Sequence, residues 1–178
     1  MPEGDDPEVY YGMAVKTIRA HVAAAEEKGI DLWLTMKRGT VADTAERCRR
    51  IVEEIGSESL RIAFSPAEAS RAGLDVMAEF ETVRPYLACL EITDLDEKGM
   101  SVPVGGGVLP YEALLRELVA MKYDGFLCLE PYFGRLGGRK SYPANGKNLL
   151  LDGSNSYRNN AAYLALKDVM EKIGCPIA

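Results

Sequence analysis

The sequence predicts an α/β protein built on a parallel sheet, because short apolar runs alternate along the chain with segments of helical periodicity. The runs cover residues 31–35, 60–65, 87–94 and 126–130. In parallel sheets the chemistry lies at the carboxyl ends of the strands. The first candidate site residues are therefore the polar residues at or near the ends of these runs: Thr35, Ser65, Glu91, Asp94 and Glu130.

Apolar residues that recur at helical spacing predict five helices around these runs. The first covers residues 14–28, with Gly29 placed for a left-handed C-terminal cap. The second follows Thr40, which can cap it, and the third, which carries Leu74, ends before Pro85. Pro110 suits the first turn of the fourth helix, and the last helix covers residues 158–173.

The predicted strands have two different faces. Alternate positions place large apolar residues on one face: Leu32, Leu34, Ile62, Phe64, Leu90, Ile92, Leu127 and Leu129. The opposite face becomes small, polar or acidic toward the carboxyl ends: Trp33, Thr35, Ala63, Ser65, Cys89, Glu91, Cys128 and Glu130. Strands that pack on helices with one face and line an interior with the other are typical of an α/β barrel. An open doubly wound sheet, the second alternative, would need large apolar residues on both faces.

Four strands are too few for a complete barrel. An eight-stranded TIM-type barrel takes about 250 residues and at least about 200, whereas this chain has 178. We therefore predict a partial, half TIM-type barrel of four parallel strands in chain order, with helices on the outer face. Its first and last strands would be unpaired edges, which invite pairing with another chain. A homo-oligomer, or pairing with a missing N-terminal half, is expected.

The composition indicates a single domain that covers residues 1–178. With 47% hydrophobic residues, the chain can bury one core. A formal net charge of −6, with basic patches that are only short and local, argues against nucleic acid and anionic membranes as partners. The four cysteines, Cys48, Cys89, Cys128 and Cys175, are too widely spaced for a disulfide framework or a zinc site. These features predict a cytoplasmic protein.

Near its C-terminal part the chain carries a combined pattern of four elements. A Gly-x-Gly turn at residues 105–107 precedes a helix, a Tyr-Asp-Gly turn at residues 123–125 and a strand that ends in Glu130 and Pro131. This pattern resembles the closing segment of the sugar phosphate isomerase/epimerase superfamily, the xylose isomerase-like TIM barrels. Upstream, GIDLWLTMKRGT, RIAFSPAEASRAGLD and LACLEITD resemble the fifth, sixth and seventh strands of that family. The resemblance implies the C-terminal half of a barrel that acts on a small sugar or sugar phosphate.

The resemblance also implies a divalent metal, Mn²⁺ or Mg²⁺, at the top of the barrel. In that family it is held by a glutamate, an aspartate, a histidine and a final glutamate, one from each of these strands. This chain keeps the last as Glu130, but has Thr35, Ser65 and Glu91 at the other three positions. Isomerisation needs both a metal and proton-transferring carboxylates. Whether this chain binds a metal and whether it catalyses the reaction therefore both stay open. A non-catalytic binding protein or partner subunit is the alternative.

The acidic residues that remain offer a reduced site. Glu91, Asp94 and Glu130 could supply oxygen ligands to a hard cation, and Glu130 and Glu91 are the candidate catalytic carboxylates. Each has a structural alternative, since Glu91 and Glu130 could form ion pairs. Asp94 begins a turn in which Asp commonly makes only local hydrogen bonds.

Substrate-binding candidates lie outside this acidic group. Trp33 could line a sugar pocket. The alternative is that its ring only packs in the apolar core. The cluster Arg135, Arg139 and Lys140 could receive a phosphate or carboxylate, with a solvated charge run as the alternative. The lone histidine, His21, is predicted to be a surface or boundary residue of the first helix.

Overall fold

The computed structural model describes residues 5–130 and 153–175, with only the backbone described for residues 153–160. The helices are α1 (Pro7–Glu26), α2 (Ala45–Ile55), α3 (Pro66–Arg71), α4 (Val76–Val83), α5 (Tyr111–Ala120) and α6 (Gly153–Lys172). The strands are β1 (Leu32–Thr35), β2 (Leu60–Phe64), β3 (Leu87–Ile92), β4 (Asp94–Leu95), β5 (Ser101–Val102) and β6 (Phe126–Leu129). A 3-10 turn, Arg84–Tyr86, precedes β3.

The chain divides into two compact units. The first contains Met1–Glu91 and Gly125–Leu127, and the second contains Ile92–Asp124 and Cys128–Ala178. That residues 1–178 form a single domain stays a prediction.

The main sheet has the strand order β1-β2-β3-β6 and is parallel. Trp33 pairs with Arg61 and Thr35 with Ala63, so these four residues share one face. This arrangement confirms the prediction of a partial TIM-type barrel with parallel strands in chain order. The antiparallel pair β4-β5 in the second unit was not predicted, because its two-residue strands are too short to produce an alternating pattern.

A β-bulge between β2 and β3 keeps the two faces of the sheet consistent. Ile62 pairs with Leu87 and Ala63 with Cys89, which leaves Ala88 as the extra residue. Without that residue Cys89 would move to the helix-packed face, because a one-residue slip exchanges the two faces of a strand.

Helices α2 and α4 cover the large apolar face of β2. Ile62 and Phe64 are fully buried, and the Phe64 ring lies 6.1 Å from the ring of Phe80 on α4. From α2, Cys48 and Ile51 are also fully buried. Burial, more than its acidic neighbours, raises the pKa of the Cys48 thiol to about 12, so this group packs as a small apolar side chain. The predicted outer, helix-covered face is confirmed.

Helix α1 packs on α2 in the first unit through one aromatic anchor. The Tyr11 hydroxyl donates to Glu54 at 2.8 Å, and the Arg50 guanidinium lies 3.8 Å from the centre of the Tyr11 ring. Burial and then Glu54 raise the pKa of Tyr11 to about 12. Arg19 donates to the carbonyl of Glu54 at 3.0 Å. This carbonyl lies in the last turn of α2, where carbonyl groups have no hydrogen-bond partner within the helix.

Four of the five predicted helices differ from the structure. Helix α1 begins at Pro7 and α6 at Gly153, whereas the predicted starts were residues 14 and 158. The second helix is capped by Thr44, which accepts from the amide of Arg47 at 3.2 Å. The Thr40 hydroxyl instead donates to the carbonyl of Lys37 and accepts from the amide of Ala42, in the turn before the helix. The third helix is two short helices. Gly73 has a φ of +73° between them, and Asp75 caps α4 by accepting from two backbone amides.

No helix in residues 5–130 or 153–175 combines the length and the apolar character that crossing a bilayer requires.

Replacing Phe80 by Ala should destabilise the first unit by about 3–5 kcal/mol, because it leaves a cavity beside Phe64 that the surrounding helices fill only in part. Urea unfolding followed by circular dichroism measures this loss. Met13→Ala is the matched control, since Met13 is 65% exposed on α1 and its truncation removes little buried surface. Equal unfolding midpoints for the two variants would contradict this description of the core.

Candidate functional site

Three of the predicted site residues lie in the first unit at the carboxyl ends of β1, β2 and β3. Thr35 is exposed and pairs with Ala63 in the register of β1 and β2. Ser65 is 2% exposed and precedes α3, although its hydroxyl does not cap that helix. Glu91 is half-buried and is the next residue after Leu90, which pairs with Phe64.

Trp33 lies one step below Thr35 on the same face of β1. Trp33 is 41% exposed, and its ring lies 5.1 Å from the ring of Phe126 on β6, with the two planes tilted by 43°. Phe126 itself is 63% exposed. This face therefore carries an aromatic pair in contact with solvent.

Asp94 lies in the second unit and is completely buried. Its Oδ1 accepts hydrogen bonds from the backbone amides of Leu95 at 2.8 Å and Leu109 at 3.0 Å. Its Oδ2 accepts from the amides of Gly105 and Gly107, both at 3.0 Å. Because a carboxylate has about four lone-pair positions, these four N–H groups use its accepting capacity. We call this arrangement the Asp94 cradle.

The glycines of the Gly-Gly-Gly turn make the Asp94 cradle possible. Gly105 has a φ of +81°, and a Cβ there would lie 2.8 Å from Cγ2 of Val169 on α6. A Cβ on Gly107 would collide with the Asp94 carboxylate and with the carbonyl of Leu95. The backbone can approach the carboxylate this closely only without side chains at these positions.

Tyr111 and Thr93 connect the Asp94 cradle to Glu130. The buried Tyr111 hydroxyl accepts from the Thr93 amide and donates to the Thr93 carbonyl, both at 2.9 Å. The Thr93 hydroxyl donates to the carbonyl of Glu130, and the Glu130 amide donates to the carbonyl of Ile92 at 3.0 Å. The backbone of Glu130, itself half-buried, is thus fixed at the end of β6.

The donor set of the Asp94 cradle does not fit a metal ion. Its oxygens already accept four N–H groups, and a cation would have to displace them. Among the residues that the structure describes, no three His, Cys, Asp or Glu side chains are grouped so as to hold a metal. His21 is exposed on α1. Metal binding by Glu91, Asp94 and Glu130 stays a prediction.

The predicted phosphate-binding cluster of Arg135, Arg139 and Lys140 lies outside the described residues. Glu130 and Asp94 belong to the second unit, whereas Trp33, Thr35, Ser65 and Glu91 belong to the first. The roles assigned to these residues stay predictions.

Sequence reasoning missed Tyr111 and Thr93. Tyr111 lies three and four residues before Leu114 and Leu115, on the buried stripe of α5, which is a signal for a core position. What its hydroxyl binds could not be predicted, because Thr93 is 18 residues away in sequence.

Asp94→Asn should loosen the turn that the Asp94 cradle holds. One oxygen becomes an NH₂ group facing two N–H donors, so at least one pair of charge-assisted hydrogen bonds is lost. Hydrogen exchange at the amides of Gly105, Gly107 and Leu109, measured by NMR, should accelerate by about 100-fold.

Asp96→Asn is the matched control for that substitution. Asp96 uses only Oδ1 to accept from the amides of Lys98 and Met100, and an Asn oxygen can replace it. Equal protection in the wild type and in Asp94→Asn would mean that the carboxylate is not what holds the turn.

Comparisons with known proteins support one fold. The chain is similar to D-psicose 3-epimerase from Clostridium cellulolyticum H10, solved with D-tagatose, at 18% identity over 95% of this chain and 58% of that one, with a TM-score of 0.71. It is similar to 3-keto-D-glucoside 4-epimerase from E. coli at 20% identity, over 93% of this chain and 57% of that one, with a TM-score of 0.65. It is also similar to a xylose isomerase-like TIM barrel protein from Mycobacterium smegmatis, solved in complex with magnesium. The identity is 18% over 97% of this chain and 54% of that one, with a TM-score of 0.66.

These similarities extend over only part of the solved proteins. The chain spans between 54% and 58% of the three structures described above. No curated protein sequence is similar enough to this chain to count as a match. A family model described as xylose isomerase-like TIM barrel matches residues 1–155. The chain therefore belongs to the xylose isomerase-like TIM barrel family.

Proposed function

We propose that this chain forms the C-terminal half of a sugar isomerase- or epimerase-like barrel, binds a small sugar or sugar phosphate, and lacks the complete metal site that epimerisation requires. Its family and its similarity to solved sugar epimerases support the choice of ligand. The observation that supports an incomplete metal site is the Asp94 cradle. Its buried carboxylate already accepts hydrogen bonds from four backbone amides.

Neutral side chains at two expected ligand positions support the same conclusion. Thr35 and Ser65 carry hydroxyls, which are weaker ligands for a hard divalent cation than carboxylates. In this proposal the chain binds its sugar through hydrogen bonds and, acting alone, does not bring about the isomerisation.

Glu130 is the residue that we assign to the sugar. Hydrogen bonds at both its amide and its carbonyl hold its backbone, and this restricts where its carboxylate can lie. A carboxylate held in this way can accept hydrogen bonds from sugar hydroxyls, and Glu91 is the second candidate. In the first unit, Trp33, which is 41% exposed, is a separate candidate for contact with the apolar side of a sugar. All four cysteines are free thiols, which suits the cytoplasmic location we propose.

Calorimetric titration with Mn²⁺ tests the metal part of the proposal. The wild type should show no stoichiometric binding. The triple variant Thr35→Glu, Ser65→Asp and Glu91→His, which restores the family pattern, should bind Mn²⁺ at least about 10-fold more tightly, because direct ligands matter at least as much as their supporting groups.

The triple variant Thr17→Glu, Ser70→Asp and Glu97→His is the matched control. It makes the same three changes at positions away from the carboxyl ends of β1, β2 and β3 and should leave Mn²⁺ affinity as in the wild type. Stoichiometric binding by the wild type that Glu130→Gln abolishes would overturn the proposal and return metal catalysis to this chain.

Saturation-transfer NMR tests the sugar part independently of any metal. With D-tagatose and D-fructose as probes and EDTA present, the wild type should show transfer to the sugar protons. Glu130→Gln should weaken this transfer several-fold, and Glu97→Gln, at an exposed site in the β4-β5 turn, should not. No transfer to either sugar would contradict sugar binding by this chain.

A further inference from the structure

A cavity of about 550 Å³ lies in the first unit at the amino ends of β2 and β3. Its lining comes from the last turn of α2, the loop that leads to β2, the first residues of β2 and the 3-10 turn before β3. Thr35, Ser65 and Glu91 lie toward the opposite ends of their strands. Cavities that bind small molecules measure about 300–1,000 Å³, so this one is large enough for a ligand of its own.

The wall of this cavity combines apolar surface with an aromatic ring. Val52 of α2 and Leu60 of β2 are 4% and 3% exposed and line it together with Tyr86. The Tyr86 hydroxyl donates to Glu53 at 2.7 Å and so joins the 3-10 turn to α2. This hydrogen bond, more than those from Arg49, lowers the pKa of Glu53, which is therefore an anion at neutral pH.

Two opposite charges line the same cavity without pairing with each other. Arg61 is half-buried, and its guanidinium donates to the carbonyl of Leu87 at 2.6 Å. Because a guanidinium has five N–H groups, further donors remain for a ligand. Glu58, three residues before Arg61, is exposed, and its carboxylate has no ion-pair partner among the residues that the structure describes.

A ligand with a single charge does not suit this lining. An anion would meet the carboxylates of Glu53 and Glu58, and a cation would meet Arg61, and like charges brought together disfavour binding. A zwitterion avoids both conflicts. Its carboxylate can accept two parallel hydrogen bonds from a guanidinium, and its ammonium can donate to Glu58.

We propose that this cavity binds a free amino acid with an apolar or aromatic side chain. Arg61 receives its carboxylate and Glu58 its ammonium, while the side chain packs against Val52, Leu60 and the ring of Tyr86. The proposal does not depend on sugar or metal binding, since the residues assigned to those ligands do not line this cavity.

An NMR titration of the backbone amides with L-phenylalanine tests the proposal. The amides of Gly56, Glu58 and Arg61 should shift in a saturable manner, with a Kd of about 1 mM or tighter. N-acetyl-L-phenylalanine lacks the ammonium and L-phenylalaninamide lacks the carboxylate. Each should bind about 10-fold more weakly, because a hydrogen bond to a charged group is lost.

Substitutions at the two charges test their separate roles. Arg61→Gln should weaken L-phenylalanine binding by about 10-fold and Glu58→Gln by several-fold, because Glu58 is the more exposed of the two. The matched controls are Arg38→Gln and Glu97→Gln, at exposed residues that do not line the cavity, and both should bind as the wild type does. Glu58 has an exposed side chain, so its variant keeps the test valid even if Arg61→Gln does not fold.

Three results would overturn the proposal. The first is the absence of saturable shifts at these amides up to the solubility limit of L-phenylalanine. The second is equal affinity for L-phenylalanine and its two blocked analogues, which would reduce the cavity to an apolar groove. The third is binding that Glu58→Gln and a folded Arg61→Gln both leave unchanged, which would place the ligand elsewhere.

Discussion

The buried carboxylate of Asp94 is the group on which the second unit depends. A charged group completely removed from water is costly unless hydrogen bonds compensate it, and here four backbone amides do so. The same amides would otherwise be unpaired in an irregular turn. Carboxylate and turn therefore satisfy each other, and Tyr111 and Thr93 extend this order to the backbone of Glu130. No buried side-chain polar atom among the described residues lacks a partner.

This structural role limits the chemistry that Asp94 can perform. Ligands of a hard cation must offer free lone pairs, and a carboxylate that has used them for amides can bind a metal only by releasing the turn. The same residue type at the same position could serve either purpose, since Asp is common both in turns and at metal sites. Which purpose it serves is decided by the three amides that Gly105, Gly107 and Leu109 direct at it.

The sequence was sufficient to predict the parallel sheet, its strand order and the helix-covered face, because strand periodicity is local. Alternation alone places Ile62 and Phe64 on one face of β2, and Leu90 and Ile92 on one face of β3. The bulge at Ala88 and the division of the third helix at Gly73 were not predicted, since each depends on how neighbouring elements pack. In the site, the position of Asp94 at a turn was recognised. Its four amide donors were not, because they follow from the path of residues 105–109 in space.

The two faces of the sheet differ in how completely this chain can cover them. Helices α2 and α4 lie on one face, so Ile62 and Phe64 are dry without any further partner. A barrel interior is filled by layers to which alternate strands contribute side chains, and four strands supply only half of them. On this face the Trp33 and Phe126 rings lie 5.1 Å apart, with their planes tilted by 43°. Both rings stay partly exposed on the face that α2 and α4 do not cover, which is why the two faces of one sheet differ so much in their contact with water.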